Sequence, residues 1–210
     1  MKRVFLGIHK MVPEVRQVLV LGIGNRLMGD DGIGVHIAEA IKKAQLPELP
    51  EPPEMPEATE TPTFLETPGL ANMLPHPKIP DKEPSRVKVR ISAGETDVDY
   101  CLKAVSESDL CVIIDGACTG KAPGHVEVVD LKSALDKINA MQAMHDFDLL
   151  HAMKREGLRK DGILIAVEIG CAEFSLDLSP FLRERFHDIL REVKWIIDGY
   201  LLPYGIRIFA

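Results

Sequence analysis

The sequence predicts a single-domain α/β protein: a three-layer sandwich with helices on both faces of a mostly parallel, twisted, five-stranded sheet with one antiparallel edge strand. Wholly apolar segments at 18–22, 110–114 and 163–167 are typical of strands buried on both faces. Segments with helical spacing of apolar residues alternate with them. A chain of 210 residues is long enough for one well-buried core and too short for two large ones.

Composition excludes several classes of partner. The formal net charge of −7 argues against nucleic acid and against anionic membrane surfaces, both of which bind basic proteins. No apolar run approaches the ~18 residues that cross a bilayer, and Lys2 and Arg3 are not followed by the long apolar stretch of a signal peptide. The four cysteines include no Cys-x-x-Cys pair, as expected for reduced thiols. We therefore expect a cytoplasmic monomer with no membrane insertion.

The chain opens with strand, loop and helix. The apolar run 18–22 stops at Gly22, and a turn over 24–31 leads to a helix over 33–44 with apolar residues at helical spacing. Residues 46–85 then differ in composition from the rest of the chain, because the stretch 47–84 contains 11 of the 15 prolines and many glutamates. Proline blocks helix interiors, so we interpret this stretch as an extended insertion loop; a short docking helix beginning near Pro68 is the alternative.

The second half continues the alternation. An alternating strand at 87–91 precedes a helix over 97–107, and the apolar strand 110–114 ends at Asp115. The next strand, 125–131, follows after only about ten residues, fewer than a parallel crossover needs, so it is predicted to lie antiparallel to its predecessor at a sheet edge.

The last three elements are a helix, a strand and a helix. The helix is predicted over 146–156 and the strand over 163–167. Ser179 as cap and Pro180 at the first position mark the start of a final helix that continues through Ile197.

Polar groups with metal-binding chemistry fall where the strands end. Asp30 and Asp31 follow the first strand, Asp115 ends the central one, and His145 directly precedes a predicted helix. Carboxylates with one imidazole suit a divalent transition metal such as nickel or zinc. Each residue also has a structural explanation: Asp31 as a helix N-terminal anion, Asp115 in an Asp-Gly turn, and His145 as a cap or surface residue.

The turn Gly22-Ile-Gly24 also suggests a nucleotide site. The third glycine of that fingerprint should stand at position 27, which is Leu27. The aspartates of the same loop would repel a pyrophosphate, so the pattern favours the metal interpretation.

Three segments together resemble the [NiFe]-hydrogenase maturation endopeptidases. They are the run VLGIGNRLMGDDGIGV at 20–35, VIIDGA at 112–117, and AMHDFDLLHAM at 143–153; the resemblance covers 18–45 and 87–200. Members bind metal through an acidic residue of the first segment, the aspartate after the central strand, and the histidine. Carried over by position, these are Asp31, Asp115 and His145, the two aspartates being the catalytic candidates.

The resemblance implies the activity. An aspartyl-type endopeptidase would remove the C-terminal extension of a hydrogenase large-subunit precursor after nickel insertion. The nickel would arrive with the substrate, with zinc or cadmium as substitutes, and no bound organic cofactor is expected. A non-catalytic nickel-binding chaperone would use the same residues, and a nucleotide-dependent enzyme is the second alternative.

Overall fold

The computed structural model describes residues 15–45, 87–138, 148–170 and 172–209. Five strands form one sheet in the order β2-β1-β3-β5-β4, and only the pair β4–β5 is antiparallel. The predicted insertion at 46–85 and the alternative helix near Pro68 lie outside the described residues. The strands are β1 (Gln17–Ile23), β2 (Lys88–Glu95), β3 (Leu110–Ala117), β4 (Val126–Asp130) and β5 (Asp161–Glu168).

The central strands are apolar throughout because both of their faces are covered. Successive side chains of a strand point to opposite faces, so Val18 and Val20 of β1 belong to one apolar cluster while Leu19 and Leu21 belong to another. The continuous apolar runs in the sequence therefore reflect two separate cores.

In the described parts of the chain, five helices cover the sheet. Side chains of the first and last helices belong to one cluster, and side chains of the other three belong to the second, which confirms the predicted three layers. Of the described residues, none forms a helix long and apolar enough to cross a membrane. The helices are α1 (Ile33–Gln45), α2 (Val98–Ser106), α3 (Leu131–Lys137), α4 (Asp148–Arg155) and α5 (Pro180–Leu201).

Side-chain caps start three of these helices. Asp97 accepts a hydrogen bond from the Tyr100 amide before α2, and Ser179 accepts one from the Leu182 amide before α5. Each cap satisfies a backbone donor that has no partner within the helix. The start predicted for the final helix is thus confirmed, with Pro180 as its first residue.

Three local expectations are corrected. β4 is an antiparallel edge strand as predicted, but it pairs with β5, which lies between β4 and β3. β3 does not end at Asp115 but continues to Ala117, since its last residues still pair with β5. The sequence analysis missed α3: Asp130 caps it by accepting from the Ser133 amide, so Leu131 begins a helix instead of ending a strand.

Candidate functional site

The candidate site lies where the strand order reverses. β1 lies between β2 and β3 in the sheet. The chain passes from β1 to β2 on one side of β1, whereas β3 lies on its other side. Loops leaving two such strands diverge and open a crevice at their carboxyl ends, the usual ligand position in open α/β sheets. Asp31 follows β1 and Asp115 lies near the end of β3.

A sharp backbone turn carries Asp31 back over the sheet edge. Gly24 has a φ of +126°, and a Cβ added there would lie 1.9 Å from the carbonyl oxygen of Asp31. Only glycine tolerates both the positive φ and this close approach. The Asn25 amide then donates to Oδ2 of Asp31 at 2.8 Å, which fixes the orientation of the carboxylate. Asp31 lies in a short 3₁₀ helix, Gly29–Gly32, that leads directly into α1.

Asp115 lies near the end of β3, close to the loop that contains Asp31. A Cβ at the adjacent Gly116 would lie 3.7 Å from the Cα of Asp31, so the Asp31 loop passes close to the end of β3. Asp115 is only 3% exposed, and its Oδ1 accepts from the Gly116 amide at 2.8 Å. The structure therefore brings together two of the three residues predicted to form the site.

Both carboxylates line one cavity of about 90 Å³. Its wall includes Cys101 and Val98 of α2 and Leu149 of α4, so helices of a single face of the sheet enclose it. The third predicted ligand, His145, lies outside the described residues. Within the described ranges, no group of three or more His, Cys, Asp or Glu side chains is arranged to hold a metal ion.

Cys101 is a cavity residue that the sequence analysis did not single out. Burial, together with the negative charges of Asp97 and Asp115, raises the pKa of its thiol to about 11. A thiol with so high a pKa stays protonated at neutral pH and is a poor nucleophile. The Cys101 thiol is therefore poorly suited to act as a nucleophile in this cavity.

Glu95 forms the rim of the cavity on the β2 side. The pairing of β1 with β2 shifts register between Gly22 and Ile23, and Glu95 has a positive φ of 50°, uncommon for a non-glycine residue. Its carbonyl oxygen accepts from the Gly24 amide at 3.3 Å, and its carboxylate lies 3.1 Å from Nε of Arg26. These contacts fasten the Asp31 loop to the neighbouring strand. No local sequence pattern predicts this bulge.

Asp30 has a structural role that differs from that of its neighbour. It is completely buried, and its two oxygens accept from the Gly170 amide at 3.1 Å and from the Ser179 amide at 2.7 Å. One side chain thus ties the loop after β1 to the loop after β5 and to the start of α5. Asp30 stabilises the loop, while Asp31 faces the cavity.

Glu168 holds the loop that follows β3. Its buried carboxylate accepts from the amides of Thr119, Gly120 and Lys121 and from the Thr119 hydroxyl. Burial alone raises the pKa of the Glu168 carboxyl, but the hydrogen bonds from Thr119, Gly120 and Lys121 outweigh it and hold the pKa below its usual value. The charged form therefore stabilises the fold.

Replacing Glu168 with glutamine is expected to cost about 2 kcal/mol of unfolding free energy at pH 7, because a buried charge-assisted cluster loses its charge. The pKa of the Glu168 carboxyl is lower in the folded protein than the value of about 4.3 in the unfolded chain. The carboxylate therefore stabilises the fold at a pH above about 4.3, and this contribution is lost as the pH falls through the folded-state pKa. Urea unfolding measured from pH 7 to pH 3 should show that the difference in unfolding free energy between the unmodified protein and Glu168→Gln disappears below about pH 4. Glu173→Gln, at an exposed loop position, is the control; a gap independent of pH would contradict the assignment.

The fold and the paired carboxylates define an α/β protein with an acidic site at the strand-order reversal. Solved structures of hydrogenase maturation endopeptidases have the same fold. The hydrogenase maturating endopeptidase HybD from E. coli matches with a TM-score of 0.58 and 21% identity, covering 91% of this chain and 95% of that chain. An endopeptidase from Escherichia coli, solved in solution, matches with a TM-score of 0.56 and 20% identity over 91% and 95% of the two chains.

A third solved structure agrees with these two. The [NiFe] hydrogenase maturation protease HybD from Thermococcus kodakarensis matches with a TM-score of 0.52 and 16% identity, covering 86% of this chain and 98% of that chain. No family model matches the sequence, and the search of curated proteins likewise finds no match. At these identities the likeness is one of fold, and it confirms the fold that the three sequence segments imply.

Proposed function

We propose that this protein is an endopeptidase that removes the C-terminal extension of a [NiFe]-hydrogenase large-subunit precursor after nickel has been inserted. The observation that carries the proposal is the pairing of Asp31 and Asp115 across one cavity, in a fold shared with hydrogenase maturation endopeptidases. The protein would act in the cytoplasm on a nickel ion that belongs to its substrate.

The charges around the cavity favour a cation. Asp31 and Asp115 contribute carboxylates to the lining, whereas the Glu95 carboxylate is paired with Arg26. Asp97 lies close enough to raise the pKa of Cys101. Carboxylate oxygens are suitable ligands for a divalent ion. A site of this charge would reject an empty precursor and accept one that carries nickel, so that recognition of the metal precedes cleavage.

His145 completes the proposed ligand set. Leu149, four positions after His145 in the sequence, lines the cavity. This proximity in the chain supports a contribution from His145, whose imidazole would coordinate in its neutral form.

In the proposed mechanism, the carboxylates bind the substrate's nickel and thereby position the scissile peptide bond in the crevice. Fixed geometry of this kind lowers the entropic part of the barrier. A carboxylate close to the positioned bond is also a candidate base for the attacking water. The protonated thiol of Cys101 takes no nucleophilic part.

The test is the intact mass of a nickel-loaded large-subunit precursor incubated alone, with this protein, or with its Asp31→Ala variant. We expect a C-terminal peptide to be lost only with the unmodified protein. Zinc-loaded and metal-free precursors serve as controls for recognition of the metal. An unchanged mass despite tight, nickel-dependent binding would replace the peptidase with the non-catalytic chaperone.

A further inference from the structure

The outward face of α5, together with Leu202 directly after it, carries exposed apolar side chains at regular spacing. Phe181, Trp195 and Leu202 are 48%, 77% and 53% exposed. With Asp188 they form a series at positions 181, 188, 195 and 202, in which each residue is seven positions after the previous one. Residues seven positions apart share one face of a helix. The opposite face is fully buried in the core. The aromatic side chains are separated by charged residues, so the arrangement of both kinds of residue along this face has to be considered together.

The spacing of this face is self-complementary. Phe181 is seven residues before Asp188, and Trp195 is seven residues after it. If a second copy of α5 lies antiparallel with the two-fold axis at Asp188, Phe181 of each copy meets Trp195 of the other. A two-fold interface places the same surface on both partners, so this aromatic contact forms twice.

The charges that flank the aromatic residues agree with the same register. The order Glu184, Arg185 on one side of Asp188 is reversed to Arg191, Glu192 on the other. In the antiparallel arrangement Glu184 lies alongside Arg191 of the second copy, and Arg185 lies alongside Glu192 of the second copy. All four side chains are exposed, and each pair forms twice.

We propose that two copies of this protein associate through the outward faces of α5, antiparallel and centred on Asp188. Two Asp188 side chains then meet at the axis, each already paired with Arg191 of its own chain. This like-charge contact and the small area of a single helix pair predict a weak, reversible dimer. The monomer predicted from the sequence is its dissociated state. The inference is independent of the proposed activity, because no described residue lining the cavity belongs to α5.

The test uses the full chain and its single tryptophan, Trp195, as the reporter. Sedimentation velocity should show a mass rising with concentration from 23.3 kDa towards twice that value, with a blue shift of the Trp195 emission. Glu192→Arg and Arg185→Glu each place like charges together and should weaken association on the order of tenfold or more. Mixing the two variants should restore it, because each supplies the charge that the other lacks. Asp188→Asn should tighten the dimer.

Lys103→Glu, an exposed reversal on α2, is the matched control and should leave association unchanged. Equal thermal unfolding of all variants excludes a folding defect. A monomer at every concentration overturns the proposal, as does association that ignores Glu192→Arg. A solvent-shielded Trp195 emission in the monomer also overturns it, since another part of this chain would then cover the face.

Discussion

Replacing Asp115 with asparagine is expected to reduce processing of a nickel-loaded precursor by about a hundredfold or more, while the fold stays intact. Asparagine has the same shape and can still accept the hydrogen bond from the Gly116 amide through its oxygen. It lacks the negative charge that, on the proposed function, holds the substrate's metal. The measurement is the initial rate of C-terminal peptide release, followed by mass spectrometry.

A parallel binding experiment separates recognition from chemistry. If Asp115→Asn weakens nickel-dependent binding as much as cleavage, the carboxylate acts in recognition; if binding persists and cleavage stops, it acts on the attacking water. Asp99→Asn is the matched control, because Asp99 is exposed on α2 and does not line the cavity. Full activity of Asp115→Asn would remove this carboxylate from the mechanism.

The second large effect is expected from Gly34→Ala, which should lower the unfolding free energy by about 3 kcal/mol. A Cβ at Gly34 would lie 2.3 Å from the carbonyl oxygen of Ile114 and 2.5 Å from that of Ile23. Both are backbone atoms of central strands and cannot move aside cheaply. α1 would shift away from the sheet, and Asp31, three residues earlier, would move with it. We expect processing to fall together with stability.

Gly199→Ala is the matched control and should change the unfolding free energy in the opposite direction. Gly199 lies inside α5, and nothing lies within 4 Å of a Cβ added there. Alanine in an exposed helix interior is favoured over glycine by up to about 1 kcal/mol. Urea unfolding should therefore show the Gly34 variant destabilised and the Gly199 variant stabilised. Equal effects of the two substitutions would contradict the close packing of α1 on the sheet.

The elements that the sequence predicts correctly carry local signals. The apolar runs of β1, β3 and β5 identify buried strands, and Ser179 with Pro180 marks the start of α5. α3 was missed although a local signal exists, since Asp130 accepts from the amide three residues ahead. There the strand-like spacing before Leu131 competed with the cap, and the cap determines the structure.

The proximity of Asp31 and Asp115 was also predictable. Asp31 follows β1 and Asp115 lies near the end of β3, and parallel strands bring their carboxyl ends to one edge of the sheet. The strand order could not be read in the same way. β5 lies between β3 and β4, so two strands that follow one another in the chain are not neighbours in the sheet, and the length of their connection does not reveal this.

The sequence by itself determined the class of fold and the position of most elements, because periodicity and caps act over a few residues. It also predicted that Asp31 and Asp115 lie at one edge of the sheet, where both line one cavity. Only the tertiary structure assigned Asp30, Glu95 and Glu168 to their roles. Asp30 reaches an amide 149 residues away, and Glu168 binds a loop 49 residues away. Such contacts depend on the packing of the whole chain, and no local pattern specifies them.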